Sequence, residues 1–408
     1  MGLAGRASAS PARDSLPRGW TSVTIVALAF IALGLPDGAL GVAWPSMRRA
    51  FALPVSGFGV LILIMMGGHL VASVGSGPAA ARVGPARLLL WSNVAFAASA
   101  FGLAFAPGWW ALMLAGLVAG AAAGLIDAGL NAYAAARFSP GVITSLHACF
   151  GAGATLGPLL MGRVLEQGRS WRAGYGVIAG ALCAMTIALA LTRRALDGAE
   201  RGATETALPS VPRLAETLRH PGVWLGAVLF ALYTGLEATP GRWAYSLLTD
   251  ARGMAPERAA MAAAAYWGSM SVGRASWGIA ARWLAPRVVL RGCLACAPVG
   301  ALLVWTGAAG PLAVAGLVIL GLCFAPIFPL LIALTSDRVG VSHAGHAIGL
   351  QVAAASLGGG VLPGGIGLLA RHTGLEVVGP FLFFAGLVTL VLYELVERQS
   401  RLRPPPSP

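Results

Sequence analysis

Three carboxylic acids lie deep inside long apolar stretches of the sequence: Asp37, Asp127 and Glu237. A charged side chain at the centre of a bilayer costs about 2.5–3.5 kcal/mol on insertion scales, so each acid is expected to face a cavity or a polar partner. A carboxylate in such a place can bind and release a proton, and we expect proton coupling of all three. The alternative for any one of them is a structural hydrogen bond to a neighbouring helix.

The surroundings of two of these acids predict a cavity wall. A proline and two glycines loosen the helix around Asp37, which suits a binding site. Asp127 and Asn131 stand four residues apart, so they share one face of a helix and make that face polar. Trp44 lies about two turns after Asp37, where it either stacks on a sugar ring or anchors the helix at the membrane interface.

Other polar and aromatic side chains in the apolar stretches are candidates for contact with a solute. His147 could also relay protons, although a structural role near a helix end is an equal alternative. Arg242 follows Glu237 by five residues and either pairs with it or reaches the membrane interface. Packing is the alternative for the aromatic candidates. The full set of predicted solute contacts is Asn131, His147, Trp44, Tyr233, Trp243, Tyr266, Trp267 and Gln351.

The chain that positions these groups is too apolar for a soluble protein. Of its 408 residues, 57% are hydrophobic and 11% are charged, whereas soluble domains carry about 25% charged residues. The formal net charge is +13, but the 28 basic residues are all arginines spread between the apolar stretches. These figures exclude an ordinary soluble enzyme, a disordered protein and a nucleic-acid-binding module. They predict a multi-span helical membrane protein.

Signatures of catalysis or metal binding are missing from the sequence. Cys293 and Cys296 have C-x-x-C spacing, but neither a second pair nor a histidine cluster accompanies them, so we predict no metal and no cofactor. HExxH and GxSxG motifs are also absent, so we predict no catalytic residue and no enzyme activity.

Twelve stretches are long and apolar enough to cross a bilayer, since a helical span needs about 20 such residues. One long polar stretch, from Arg193 to His220, divides them into six and six. We therefore predict a first bundle over 1–194, a cytoplasmic linker over 195–220 and a second bundle over 221–408. The predicted spans lie near 20–44, 57–79, 87–106, 109–134, 143–165, 173–192, 222–247, 258–281, 287–307, 311–334, 344–369 and 376–396.

The two halves of the sequence also repeat each other at a constant offset. Asp37 aligns with Glu237, Gly41 aligns with Gly241, and segment 80–87 aligns with 280–287. An even number of spans in each half keeps both copies in the same orientation, so the repeat is parallel and the site is expected at the midplane between the halves. The predicted fold class is an all-α integral membrane protein with twelve transmembrane helices in two parallel six-helix repeats.

The placement of arginine predicts the orientation in the membrane. With the N-terminus placed in the cytoplasm, most arginines fall in the tails, the linker and the loops on the same side. This arrangement obeys the positive-inside rule. We therefore predict a plasma membrane protein, in the bacterial inner membrane, with both termini cytoplasmic.

These features resemble the major facilitator superfamily, and more closely its fucose–proton symporter-like branch. The finer resemblance rests on Asp37-Gly-Ala-Leu-Gly in the first span, Asp127-Ala-Gly-Leu-Asn131 in the fourth and Gly235-Leu-Glu237 in the seventh. The resemblance implies the fold of that superfamily and secondary active transport. It also implies that Asp37 and Asp127 take part in proton coupling and sugar binding.

The sequence departs from the pattern of this branch at several places. Ala81 precedes Arg82 where the superfamily's loop signature normally has an aspartate. His147 and Phe150 stand in the fifth span where sugar symporters often have glutamine and asparagine. A glycine-rich stretch over 153–162 partly resembles a signature of proton-driven drug exporters.

We therefore expect a permease that couples proton movement to the uptake of a sugar or similar small polar solute by alternating access. The alternative is proton-driven efflux of amphipathic compounds. The expected partners are the solute, protons and the lipid bilayer, without nucleic acid. A monomer is expected, since the fold does not require more than one chain.

Overall fold

The computed structural model describes residues 18–138, 140–197, 214–280 and 283–401, and all the regular elements in these ranges are helices. The first half contains six long helices. They are α1 (Arg18–Ala50), α2 (Ser56–Val83), α3 (Pro85–Phe105), α4 (Trp109–Arg137), α5 (Pro140–Glu166) and α6 (Trp171–Asp197).

The second half begins after a short helix and contains interrupted as well as continuous spans. A π-helix, Leu247–Ala251, extends the seventh span, and a 3-10 turn, Leu375–Val377, precedes the last. The α-helices are α7 (Leu214–Leu218), α8 (Pro221–Ser246), α9 (Pro256–Ala280), α10 (Pro286–Thr306), α11 (Pro311–Phe324), α12 (Ile327–Ala333), α13 (Thr335–Val339), α14 (Val341–Thr373) and α15 (Val378–Arg401).

Prolines and glycines set many of these helix ends. Proline is the first residue of α3, α5, α8, α9, α10 and α11, where its missing N–H is not needed and its fixed φ suits a helix. Pro326 stands at the break between α11 and α12, because it cannot donate the backbone hydrogen bond that would continue the helix. Gly84, between α2 and α3, has a φ of 85°, a conformation that glycine adopts readily.

The described ranges contain twelve stretches of span length, as predicted. Eleven are apolar enough to cross a membrane by length and composition, with α11 and α12 counted as one. The twelfth is α9, several of whose polar residues face protein: Ser271 lies against Gly151 of α5, Ser269 lies against Gly321 of α11, and Arg274 lines a cavity. These inward-facing groups lower its mean hydropathy. The predicted fold class is confirmed.

The packing of the second half repeats the packing of the first. In the first half, α1 packs against α5 and α6, α3 packs against α4 and α6, and α2 packs against α4. In the second half, α8 packs against α14 and α15, α10 packs against α11 and α15, and α9 packs against α11. When the spans are numbered from one to six within each half, spans with the same numbers pack against each other in both halves. A parallel repeat requires this.

Within the described ranges, the two halves meet mainly along three helix pairs. α2 packs against α14, α5 packs against α9, and α1 meets α8. Small residues let these backbones approach closely: Gly41 lies against the backbone oxygen of Gly241, and Gly59 lies against that of Gly364. α2 and α9 are the second spans of their halves, and α5 and α14 are the fifth. Both α2–α14 and α5–α9 therefore join a second span to a fifth span, so the interface has the symmetry of the repeat.

The predicted linker falls partly outside the described ranges. α6 runs to Asp197, and α7 packs against α8 and α14. Residues 198–213 are not among the described ones, and neither are 281–282 of the predicted loop repeat or the tails at 1–17 and 402–408. The division into 1–194, 195–220 and 221–408 therefore stays a prediction.

The contact between α1 and α5 is expected to be sensitive to a single methyl group. A Cβ at Gly38 would lie 2.0 Å from the backbone oxygen of Ala154, so one helix would have to shift. We expect Gly38→Ala to lower the free energy of unfolding by about 1–3 kcal/mol, as overpacking does. The Tm of the purified protein checks this.

Gly75→Ala is the matched control, because no atom of the described chain lies within 4 Å of a Cβ added at Gly75. Its Tm should stay the same or rise, since alanine favours helices over glycine. A similar loss in both variants would contradict the assignment of the effect to the α1–α5 contact.

Candidate solute-binding cavity

A cavity of about 800 Å³ lies between the two halves. Helices α1 to α6 line it from the first half, and α8, α9, α12 and α14 line it from the second. Most of the lining is apolar and includes several aromatic rings. A mainly apolar chamber with a few convergent polar groups is typical of a small-molecule site. The acids, histidines and arginines that line it are Asp37, His69, Asp127, His147, Glu237, Arg242 and Arg274.

One ion pair in the cavity joins the two halves. Arg242 of α8 donates through Nη2 to Oδ1 of Asp37 in α1, and through Nη1 to the Asp37 backbone oxygen at 3.0 Å. The interpretation that Arg242 pairs with Glu237 is wrong, because residues five apart on a helix point about 140° away from each other. Each charge of the pair thus depends on a group from the opposite half.

Glu237 is held by side chains of its own half. Arg274 of α9 donates from Nη2 to Oε1 at 2.9 Å, and the hydroxyl of Tyr233 donates to Oε2. The hydroxyl of Tyr266 donates to the backbone oxygen of Glu237 at 2.5 Å. In this conformation Tyr233 and Tyr266 fix the position of the acid and do not line the cavity, so their predicted contact with a solute stays a prediction.

Asp127 differs from the other two acids in its partners. Within the described ranges, no arginine or histidine nitrogen forms an ion pair with it. The side-chain amide of Asn131 donates to both Oδ1 and the backbone oxygen of Asp127 at 2.9 Å. His69 of α2 also lines the cavity and interacts electrostatically with Asp127. A carboxylate that no arginine neutralises suits a group that takes up a proton.

His147 lies in the cavity, where its environment is influenced by a cation of the second half. It lies on α5 and lines the cavity, and its ring packs against Phe30 with 5.4 Å between the ring centroids. Its charge would interact with that of Arg274, across the α5–α9 contact. The imidazole is therefore placed between the acid–base pair of the second half and the apolar wall of the first.

An aromatic cluster closes one end of the cavity. Trp44 of α1 stacks on Phe58 of α2 with 4.9 Å between the ring centroids, and Phe58 meets the edge of Trp243 of α8 at the same distance. Arg48 and Asp250 form an ion pair of 3.1 Å between the halves at the same end. Trp44 and Trp243 are buried in this cluster and do not line the cavity, so their predicted contact with a solute stays a prediction.

The halves separate at the opposite end. The contact between α2 and α14 reaches as far as Met66 and Gly360. Past this point, a Cβ added at Gly349, which lies on nearly the same face of α14 as Gly360, would have no atom of the described chain within 4 Å. The cavity is thus closed where α1 ends and open where α2 ends.

Three further predicted solute contacts lie outside the cavity lining in this conformation. Asn131 is bonded to Asp127, Trp267 packs against Gly241, and Gln351 accepts a hydrogen bond from the hydroxyl of Thr335 at 2.8 Å. Their roles stay predictions. The predicted site residues that the structure brings together in the cavity are Asp37, Asp127, His147 and Glu237.

The cysteines are free thiols in the described ranges. Cys293 and Cys296 lie on α10, and Cys296 is exposed on the surface of that helix. Among the residues that the structure describes, no group of three or more histidine, cysteine, aspartate or glutamate side chains is placed to hold a metal ion.

Comparison with known proteins identifies the family. The profile of the Major Facilitator Superfamily matches residues 26–363 and 244–407. The chain belongs to the major facilitator superfamily. It is therefore a multi-pass membrane transporter rather than an enzyme. The resemblance to the fucose–proton symporter-like branch is finer than this match and stays a prediction.

Solved transporters share the fold of this superfamily member. A bacterial homologue of the human lysosomal transporter Spinster, in an inward-facing and unoccupied conformation, has a TM-score of 0.77 and 14% identity over 97% of this chain and 100% of that one. The nucleoside transporter NupG, in a mutant form, has a TM-score of 0.74 and 13% identity over 92% and 99%. At these identities the likeness shows the fold alone. No curated protein matches the sequence.

Several cavity residues of this transporter have little signal in the sequence. Arg274 can be recognised from the sequence, because an arginine inside a span is costly and needs a partner. Tyr175, Thr234 and Trp277 have none, since hydroxyl-bearing and aromatic residues are common in spans that only pack. Their place in the cavity follows from the packing of the helices.

The buried pair of Glu237 and Arg274 is expected to matter for stability. The two side chains are 14% and 11% exposed. Arg274→Gln leaves the carboxylate without a cation, so we expect the free energy of unfolding to fall by about 3–5 kcal/mol. Tm measurements on the purified transporter check this.

Arg163→Gln is the matched control, because Arg163 and Glu166 form an ion pair with side chains 70% and 40% exposed. That substitution should cost no more than about 1 kcal/mol. Equal losses in the two variants would show that the burial of the Glu237 pair carries no special weight.

Proposed function

We propose that this chain is a proton-coupled secondary transporter that carries a small solute by alternating access of the cavity. The observation that carries the proposal is the ion pair of Asp37 and Arg242, which lines the cavity and also joins the two halves beside the closed end. A proton or solute that weakens this pair weakens a contact that keeps that end closed. Binding is thereby coupled to a change of conformation.

Asp127 is the proton-binding group in this proposal, with Asp37 and Glu237 as further coupling acids. Asp37 and Glu237 are each neutralised by an arginine, whereas Asp127 has the amide of Asn131 and the electrostatic influence of His69. Protonation of Asp127 removes a charge that would otherwise be carried through a state closed at both ends. A proton taken up there therefore lowers the barrier to that state.

The open end faces the cytoplasm in this proposal, and the protein lies in the bacterial inner membrane. The excess of arginine on the side of the linker supports this orientation. The chain has crossed the membrane an even number of times when it reaches the end of α2, and again when it reaches the end of α6. Both helix ends and the linker after α6 therefore lie on the side where the chain begins its first span. The conformation is then inward-facing, with the aromatic cluster of Trp44, Phe58 and Trp243 closing the outer end.

Two classes of solute fit the proposal. Carboxylates beside aromatic rings support a sugar or similar polar solute, taken up with a proton. The apolar lining favours an amphipathic compound, exported in exchange for a proton: it includes Phe30, Phe150, Trp277 and Phe328, and no asparagine or glutamine side chain is among its described residues. We prefer the amphipathic solute, because a sugar would leave many of its hydroxyls against hydrocarbon.

The test uses the purified chain in liposomes that contain a pH-sensitive dye. The added solutes are a panel of sugars, polyols and nucleosides, followed by the hydrophobic cation tetraphenylphosphonium. We expect solute-dependent proton flux that is lost in Asp127→Asn, because the amide cannot exchange a proton. Asp337→Asn is the matched control, since that acid lies outside the cavity with its side chain 52% exposed, and its flux should be normal.

The sign of the flux separates the two solute classes. Protons that move with an added sugar support uptake, and protons that move against tetraphenylphosphonium support efflux. Solute transport without any proton movement, or an Asp127→Asn variant with normal flux, would reject the proposed coupling.

A further inference from the structure

One buried hydroxyl beside Asp37 has no hydrogen-bond partner among the described residues. It belongs to Tyr175 of α6, which is 1% exposed and lines the cavity. Tyr175, Asp37 and Arg242 line the same cavity, α6 packs against α1, and both charges act electrostatically on the hydroxyl. Buried polar groups in folded proteins are nearly always hydrogen-bonded, so an unpartnered one at a functional site calls for a partner in another state.

The comparison of Asp37 with Glu237, its equivalent in the repeat, indicates that Tyr175 can supply a hydrogen bond to Asp37. Glu237 receives its bonds from Arg274 and Tyr233, both in its own half. Asp37 stands at the equivalent place in the first half, but its described side-chain partner is Arg242 of the opposite half. α6 packs against α1 within the first half, so Tyr175 stays beside Asp37 whatever the second half does.

We propose that Tyr175 is a positioning residue that replaces Arg242 as the hydrogen-bond partner of Asp37 when the closed end opens. As the halves part, Arg242 moves away with α8, whereas Tyr175 remains with α1. The Tyr175 hydroxyl then donates to the Asp37 carboxylate, which would otherwise be a charge without a partner. This inference rests on the proposed alternating access and assigns the residue that stabilises the state not seen here.

The experiment measures the separation of the halves at the closed end with paired spin labels. Suitable positions are Gln167 and Glu257, which are exposed beside the ends of α5 and α9, where Gly162 lies against Ala260. The full chain carries cysteines at these two positions and alanine at its five native cysteines. All variants are made in an Arg242→Gln background, which removes the bond between the halves and should populate a longer distance.

Four variants in this background decide the question: Tyr175→Phe, Asp37→Ala, the combination of the two, and Tyr393→Phe. Tyr175→Phe should lower the ratio of open to closed molecules about tenfold, because a hydrogen bond to a charged group is worth roughly that factor. With Asp37→Ala also present, Tyr175→Phe should have no effect, since no carboxylate remains to accept the bond. Tyr393→Phe is the matched control: its hydroxyl is also buried without a partner in the described ranges, but it lies on α15 outside the cavity lining.

An equal effect of Tyr175→Phe with and without the Asp37 carboxylate would overturn the proposal, because it would show a packing role. A distance distribution that Arg242→Gln leaves unchanged would also overturn it, since the closed end would not depend on that pair. The expected pattern of distances combined with no proton flux in liposomes would reject the proposed coupling alone and leave the role of Tyr175 standing.

Discussion

The ion pair of Asp37 and Arg242 is the interaction on which the rest of the architecture depends. Both charges line the cavity, and in this conformation each is the partner of the other because α1 and α8 come together. The residues around the pair serve this approach, because Gly41 lets the backbone of α1 reach that of α8. The cost of an unpaired charge therefore acts as a force that draws the two halves together at one end.

Close backbone contacts hold the helices of each half together. Within the first half, glycines bring the backbones of α1 and α5 into direct contact, and a similar approach occurs at Gly358 of α14 against Ala231 of α8. Contacts of backbone on backbone leave little room for side-chain adjustment. The aromatic cluster and the pair of Arg48 and Asp250 then join the two packed halves at one end.

Much of this fold follows from the sequence. Span length, the arginine pattern and the repeat predict the helices, and α9 belongs among them although polar residues that face protein, such as Ser269, Ser271 and Arg274, lower its hydropathy. The rarity of acids in apolar stretches also leads to Asp37, Asp127 and Glu237, all of which line the cavity. These inferences work because the cost of a buried charge applies at any position in a membrane helix.

The partners of those acids could not be predicted in the same way. Helical spacing alone separates Arg242 from Glu237, but that Arg242 reaches Asp37 instead depends on how the helices are rotated and which faces of the two halves meet. Trp44 and Trp243 carry the same difficulty, since an aromatic ring near an acid can face a solute or, as here, a neighbouring ring. A ring that contacts a solute and a ring that contacts another ring have the same hydrophobicity in the sequence. Only the packing of the helices distinguishes the two cases.

The cations of the cavity have a chemical property that the acids lack. Arg242 and Arg274 carry guanidinium groups, which keep their charge at any pH that a cell encounters. They act as fixed positive charges. A change in the net charge of the cavity at cellular pH therefore comes from its carboxylates, its imidazoles or the bound solute. A voltage across the membrane would therefore act on a net charge that changes by whole units, one for each proton or unit of solute charge that is bound.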